Sequence, residues 1–415
     1  MLICALIGEI IMQKTCTNLS NGIAFGYKRN ENTPRITLCM NFAFDSSEKV
    51  PGIYLLVARL LKQGTKNLTS EQLAQELDKY AIDLCVDLKQ DYLRFGITAL
   101  NEDFEKAIEI MEDIIKNSTF EEFEKEVKKL KGELTAKLDD ARTKAIDNFY
   151  KTLYKSHFYG NTSSLVLENL ENISKQDVID AYNNLLKNSK KVCAFVGDMD
   201  FDIVKTKLET HFGELSSKDE FEYSIDTPTL NKAETIEEVK NGLNQAHILR
   251  GWITPNFKSE DYASLMLLNI ILGGSGLSSR LFLELREKKG LAYVVRSGYE
   301  SFSLCGNFFI YIATEPKNIE ISLKGFEEEI QKIKNIELSE DELENAKNNL
   351  FGKFAFSLET NFRQAYSFSN YAINGLGFDF KDKFFEKVKQ VTIKDIKDCA
   401  NKYFTDTYVT SILRP

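Results

Sequence analysis

The chain is written twice. In its first half an alternating apolar and polar stretch, 22–44, precedes an apolar helical run, 51–61, and an amphipathic one, 70–80. Two strand patterns follow, 84–88 and 92–100, and then a long helical stretch, 104–116. The second half repeats that order: a strand at 245–254, helices at 260–272 and 279–288, strands at 292–300 and 305–314, a long helix at 319–332. The agreement continues, because 121–140 corresponds to 339–359, both with helical periodicity. The segments ISKQDVIDAYNNLLKNSKKVCAFV (173–196) and VTIKDIKDCANKYFTDTYVTSIL (391–413) each read as a helix returning into a closing strand. Between the halves, 216–240 is polar, carries Pro228 and reads as a linker. The expectation is an α+β chain of two tandem, similar domains, 1–215 and 241–415. Alternating strands beside broad apolar helix stripes predict sheets covered by helices on one face. Two such domains facing one another would enclose a cleft, where ligand sites concentrate.

Composition narrows the function classes. At 415 residues the chain exceeds a single core, and its net charge of -9 offers no basic footprint for nucleic acid. The Lys-rich run at 125–131 alternates with Glu at helical spacing and reads as a solvated helix face. Seven cysteines stand far apart with no Cys-x-x-Cys pair, which fits a reducing compartment and a cytoplasmic location. Residues 1–11 are apolar but too short to span a bilayer and have no basic leader pattern, so no membrane role is expected; Met12 is an alternative start. The glycines at Gly273, Gly274 and Gly276 suggest a phosphate cradle, and with it a nucleotide-dependent enzyme. The Gly-Lys-Ser/Thr that such a loop needs is missing, and a helix-to-helix turn accounts for them better.

One stretch of the second half is specific. LGGSGLSSRLFLELREKKGLAYVVRSGY, 272–299, resembles the C-terminal-domain signature of the insulinase/pitrilysin family of zinc metallopeptidases, including processing-peptidase-like bacterial proteins. The first half agrees through LLKQGTKNLTSEQLAQEL, 60–77, where Gly64 and Thr65 match the family's Gly-Thr after its metal helix. Glu126, Glu133, Asp139, Asp140, His157 and Tyr159-Gly160 also fit. The resemblance implies a duplicated processing-peptidase-like αβ sandwich closing as a clamshell.

The same resemblance locates what is missing. The family holds zinc with two histidines one helical turn apart, a glutamate base just before the second, and a downstream acid. Counted from Gly64-Thr65, those positions here hold Leu55, Ala58 and Arg59, with Glu133 at the third-ligand position and Glu126 seven residues before it. Leu55 and Ala58 can neither ligate a metal nor take a proton, and a cation at Arg59 repels one. The chain has only three histidines, His157, His211 and His247, none of which shares a helical turn with another. A rescue site from Glu126, Glu133 and His157 is the alternative; otherwise the two acids are charged positions on an amphipathic helix and His157 a half-buried loop residue.

The family also supplies an arginine and a tyrosine seven residues apart to hold substrate carbonyls and the developing oxyanion. Here they are Arg286 and Tyr293, with Gly290 between them as a helix cap. The resemblance thus implies a non-catalytic, substrate-contacting subunit that forms a heterodimer with a zinc-bearing homologue and acts on peptides. No cofactor is expected in this chain, the zinc lying in the partner. The alternative is a scaffold member of the family, like the core subunits of respiratory complexes, with no part in hydrolysis.

Overall fold

The structure, a computed structural model, describes residues 14–44, 48–218, 226–335 and 338–415. The opening segment 1–11 and residues 219–225 of the expected linker lie outside them. The first sheet holds β1 (Lys14–Asn18), β2 (Ala24–Arg29), β3 (Arg35–Ala43), β4 (Asp83–Leu88), β5 (Tyr92–Leu100) and β6 (Lys191–Gly197), in the order β1-β2-β6-β3-β5-β4. The second holds β7 (Glu234–Val239), β8 (Ala246–Thr254), β9 (Ala292–Ser301), β10 (Gly306–Thr314) and β11 (Val409–Arg414), in the order β7-β11-β8-β10-β9.

Strand for strand the sheets agree once β1 is set aside. In each, one parallel pair (β2·β6, β7·β11) is followed by antiparallel neighbours. The returning helices match down to their caps. Ser174 and Asp177 form a capping box at the start of Lys175–Asn188, and Thr392 and Asp395 form its counterpart at Ile393–Tyr403. The duplication read in the sequence is present in the topology.

The compact units are not the two halves of the chain. One takes in the chain up to Lys128, then Asn172 to the linker, and Ser357–Phe380; the other takes in Lys129–Glu171, the second half up to Phe356, and Lys381–Pro415. Each unit therefore contains a helix supplied by the opposite half. In the first unit, helix Asn361–Ile373 sets Ala365 and Phe368 against Cys39, Ala194 and Val196 of β3 and β6. The other face of that sheet meets helix Phe104–Asn117, whose Phe104 packs edge-on against Phe195 at 5.6 Å. In the second unit, helix Ala141–Leu153 buries Ala145, Phe149 and Leu153 among Leu249, Phe309, Tyr311 and Leu413. Opposite it, Trp252 packs at a tilt against Phe404 and Arg250 reaches Glu327 on helix Ile319–Lys334. Both sheets are thus covered on two faces rather than one. The central strands carry the mark of it: every residue of β6 is buried, as in sheets packed on both sides.

The linker reading also changes. Residues 234–239 are not connection but the edge strand β7, paired in parallel with β11. Its inward side chains include Glu234 and Glu238, and Glu238 is met by Asn148 (2.7 Å) and Lys144 (3.4 Å) of helix Ala141–Leu153. Acids on the inner face disguise a strand as a linker, and inward charge is one way an edge strand resists pairing with another chain. Among the described residues no helix is long and apolar enough to cross a membrane.

Candidate functional site

The helix expected to carry the metal forms at Ile53–Leu60, and the turn after it is fixed by Gly64 and Thr65. Gly64 has φ +108°, and a Cβ there would lie 3.0 Å from the Leu68 carbonyl oxygen and from the Ser70 nitrogen. The Thr65 hydroxyl donates to Asp113 and accepts the N–H groups of Asn67 and Leu68. Helix and turn are therefore both present where the resemblance places the metal helix.

At the ligand positions an ion pair has formed. Arg59 directs Nε and Nη2 at the same oxygen of Glu126, each at 2.9 Å, and Glu126 is only 2% exposed. Ala58 is buried, Leu55 half-buried, and Glu133 exposed on helix Phe123–Asp139. These residues do not fit a zinc ion. Two are hydrocarbon, and the third brings a cation that takes Glu126 for itself. Among the described residues, no three His, Cys, Asp or Glu side chains are grouped to hold a metal.

His157 is not grouped with two other candidate ligands among the described residues. Its Nδ1 accepts from the Tyr159 N–H at 3.1 Å, and its buried Nε2 has no hydrogen-bond partner among the described residues. Burial pushes the imidazole down to about 4, so it is neutral near pH 7. His211 pairs with Glu112 and His247 with the Tyr311 hydroxyl.

Arg286 and Tyr293 are brought together. Arg286 lies in a π-helical segment, Phe282–Lys288, which Gly290 at φ +62° closes as Leu291 N–H returns to the Leu285 carbonyl. The chain then reverses into β9. Between Ala292 and Val294 the register with β10 slips at a β-bulge, and Tyr293 is the extra residue. The bulge leaves its side chain 75% exposed. The Arg286 guanidinium stands 4.7 Å from the centroids of both Phe282 and Tyr293, and Nη1 donates to the Tyr293 carbonyl at 2.7 Å. The cation is thus clasped between two rings while most of its five donors stay available. Sequence reasoning did not single out Phe282, although four residues before Arg286 is the spacing that stacks side chains on one helix face.

The glycines are a turn between helices. A second π-helical segment, Ile270–Gly274, ends helix Tyr262–Asn269, and a Cβ on Gly273 would lie 2.2 Å from the Ser297 nitrogen of β9. Gly276 turns the chain at φ +77°. π-Helical turns recur at functional sites, and here two flank the loop that leads to Arg286.

Two α+β domains in tandem, built on sheets of one topology, are the architecture expected of the class of insulinase-like peptidases. Residues 39–164 match the family described as "Insulinase (Peptidase family M16)", and residues 172–350 match "Peptidase M16 inactive domain". The chain belongs to this family, the insulinase family of peptidases. An uncharacterized zinc protease of Rickettsia felis is 27% identical over 381 residues, covering 90% of this chain and 89% of that protein. The uncharacterized zinc protease YmxG of Bacillus subtilis is 24% identical, with 98% of both chains covered. Among solved structures, a peptidase M16 inactive domain from Pseudomonas fluorescens superposes with a TM-score of 0.88 at 21% identity, covering 97% of this chain and 98% of that one. A protease from Helicobacter pylori gives 0.88 at 23%, covering 97% and 100%.

Proposed function

We propose that this chain is the non-catalytic, substrate-contacting subunit of a two-chain insulinase-family peptidase. The observation that carries the reading is the exposed Arg286–Tyr293 pair, built on a bulge and a π-helical turn in a chain whose metal helix is closed by Arg59 and Glu126. In this reading the free N–H donors of Arg286 hold peptide carbonyls in the ground state. The Tyr293 hydroxyl donates to the oxyanion as the carbonyl becomes tetrahedral. The activated water belongs to the zinc of a homologous partner. Bulges and π-turns recur beside functional sites, which favours this reading over the structural one.

Reconstitution with a zinc-bearing homologue tests it. Alone, the dialysed chain should retain no stoichiometric zinc and cleave no peptide. In the pair, Tyr293→Phe should lower kcat by about 10- to 1000-fold with little change in KM, and Arg286→Ala should raise KM as well. Full activity from both variants would leave the scaffold reading in possession.

A further inference from the structure

On the sheet face that carries helix Ala141–Leu153, two arginines meet without a carboxylate between them. Arg142, in the first turn of that helix, stands 5.4 Å from the centroid of Tyr311. Arg296, directly across from Tyr311 in the β9·β10 register, stands 5.8 Å from the same ring. Among the described residues neither guanidinium has a hydrogen bond or an ion pair, and Arg296 Nε is shut off from solvent with no acceptor.

The two carboxylates that sense these cations make their hydrogen bonds elsewhere, each through one oxygen. Glu300 accepts from the Tyr150 hydroxyl at 2.6 Å and from Asn307 Nδ2 at 3.2 Å. Asp140 caps its helix by accepting from the Thr143 N–H at 2.8 Å and hydroxyl at 2.7 Å. His247, at 2.9 Å from the Tyr311 hydroxyl, is held below its ordinary range, mainly by burial, and brings no negative charge. Two like charges, one of them half-buried, therefore have carboxylates nearby but none in direct contact, in a protein whose net charge is -9. A pair of guanidinium groups whose N–H donors are not engaged is complementary to an oxyanion.

We infer that Arg142 and Arg296 form a receptor for a carboxylate of a bound peptide, either its C-terminus or an acidic side chain. The inference rests on the reading of this chain as a peptide-contacting subunit. Arg296 follows Tyr293 by three residues on β9, an edge strand, which is about 10 Å along the strand. One extended peptide running along that edge spans both sites, and the arginines select for a negative charge about three residues from the carbonyl held at Tyr293.

The test is binding by the full chain, read by fluorescence anisotropy, so that hydrolysis is not needed. One labelled peptide is made in four versions, with the C-terminus free or amidated and one internal residue Glu or Gln. The chain should bind the best acidic version at least about tenfold tighter than the amidated Gln version, the effect of one charge-assisted hydrogen bond. The two single-acid versions identify which carboxylate is read. Arg142→Gln, a change at an exposed position, should remove most of that preference, and Arg142→Gln with Arg296→Gln all of it, leaving the neutral peptide's affinity unchanged. Equal binding of all four peptides, or a full preference surviving in Arg142→Gln, overturns the receptor. If Tyr293→Phe still slows the reconstituted pair in that case, the subunit reading stands without it. If the chain binds no peptide at all, both fall.

Discussion

Dividing the chain within residues 219–225 should yield two fragments that fold together but not apart. The N-terminal fragment would keep its six-stranded sheet and lose helix Asn361–Ile373; the C-terminal fragment would keep five strands and lose helix Ala141–Leu153. In the second unit the missing helix takes Phe149 and Leu153, 0% and 2% exposed, out of the core together with Ala145. At about 2–3 kcal/mol for each large side chain and less for alanine, the loss is about 5–7 kcal/mol. The newly bared faces of Leu249, Phe309 and Leu413 add to it. A domain's whole stability is about 5–15 kcal/mol, so each fragment alone is left marginal or unfolded. The assay is separate expression against co-expression with one fragment tagged, followed by urea unfolding watched by far-UV circular dichroism. Co-expressed fragments should copurify and give a cooperative transition, while the separate ones give none. A cooperative transition from either isolated fragment would refute the claim that the exchanged helices complete the cores.

Further outcomes follow from point substitutions. Arg59→Ala removes the partner that approaches Glu126 with two nitrogens at 2.9 Å and should cost about 3–5 kcal/mol by urea denaturation, whereas Arg59→Met with Glu126→Leu should recover most of the loss. Because His157 is lowered to about 4 from 6.5, the unfolded chain binds more protons between those values. Its contribution is therefore whole above pH 6.5 and declines as pH falls toward 4, by up to about 3 kcal/mol. His157→Asn, which keeps an acceptor for the Tyr159 N–H, should flatten that part of the stability–pH curve. At Gly251 a Cβ would lie 2.6 Å from Phe149 Cζ and 2.7 Å from the Phe308 carbonyl oxygen, so Gly251→Ala should destabilise by about 1–3 kcal/mol. Gly132→Ala, on an exposed helix face with nothing within 4 Å, should instead stabilise by about 0.5–1 kcal/mol, and equal melting shifts for the two would contradict the packing argument.

What the sequence disclosed and what it hid divide along a physical line. Local periodicity fixes an element's type. The helix at Phe104–Asn117 and the strands at β5 and β8 therefore fall within a residue or two of their expected limits. Periodicity says that a helix has an apolar face and nothing about which sheet receives it. Ala145, Phe149 and Leu153 recur at helical spacing, yet the surface they need lies in the other half of the chain. For the other exchanged helix the clue was in a receiving strand, since the continuous apolar run 192–196 of β6 requires cover on two faces. β7 was hidden for the opposite reason. Its inward positions carry acids whose compensation, Lys144 and Asn148, lies about 90 residues away in sequence. The candidate site divides in the same way. A motif gives Arg286 and Tyr293 their spacing, but only a bulge, a π-helical turn and the ring of Phe282 make seven residues of separation into a contact at 4.7 Å. That Leu55, Ala58 and Arg59 cannot hold a metal was legible, whereas the pairing of Arg59 with Glu126 was not, because it requires Glu126 to arrive from another helix. Geometry that depends on two distant segments meeting is where sequence reasoning stops. In this chain both the exchanged cores and the Arg59–Glu126 ion pair are of that kind, so a substitution at either should be read first as a change in folding and only then as a change in function.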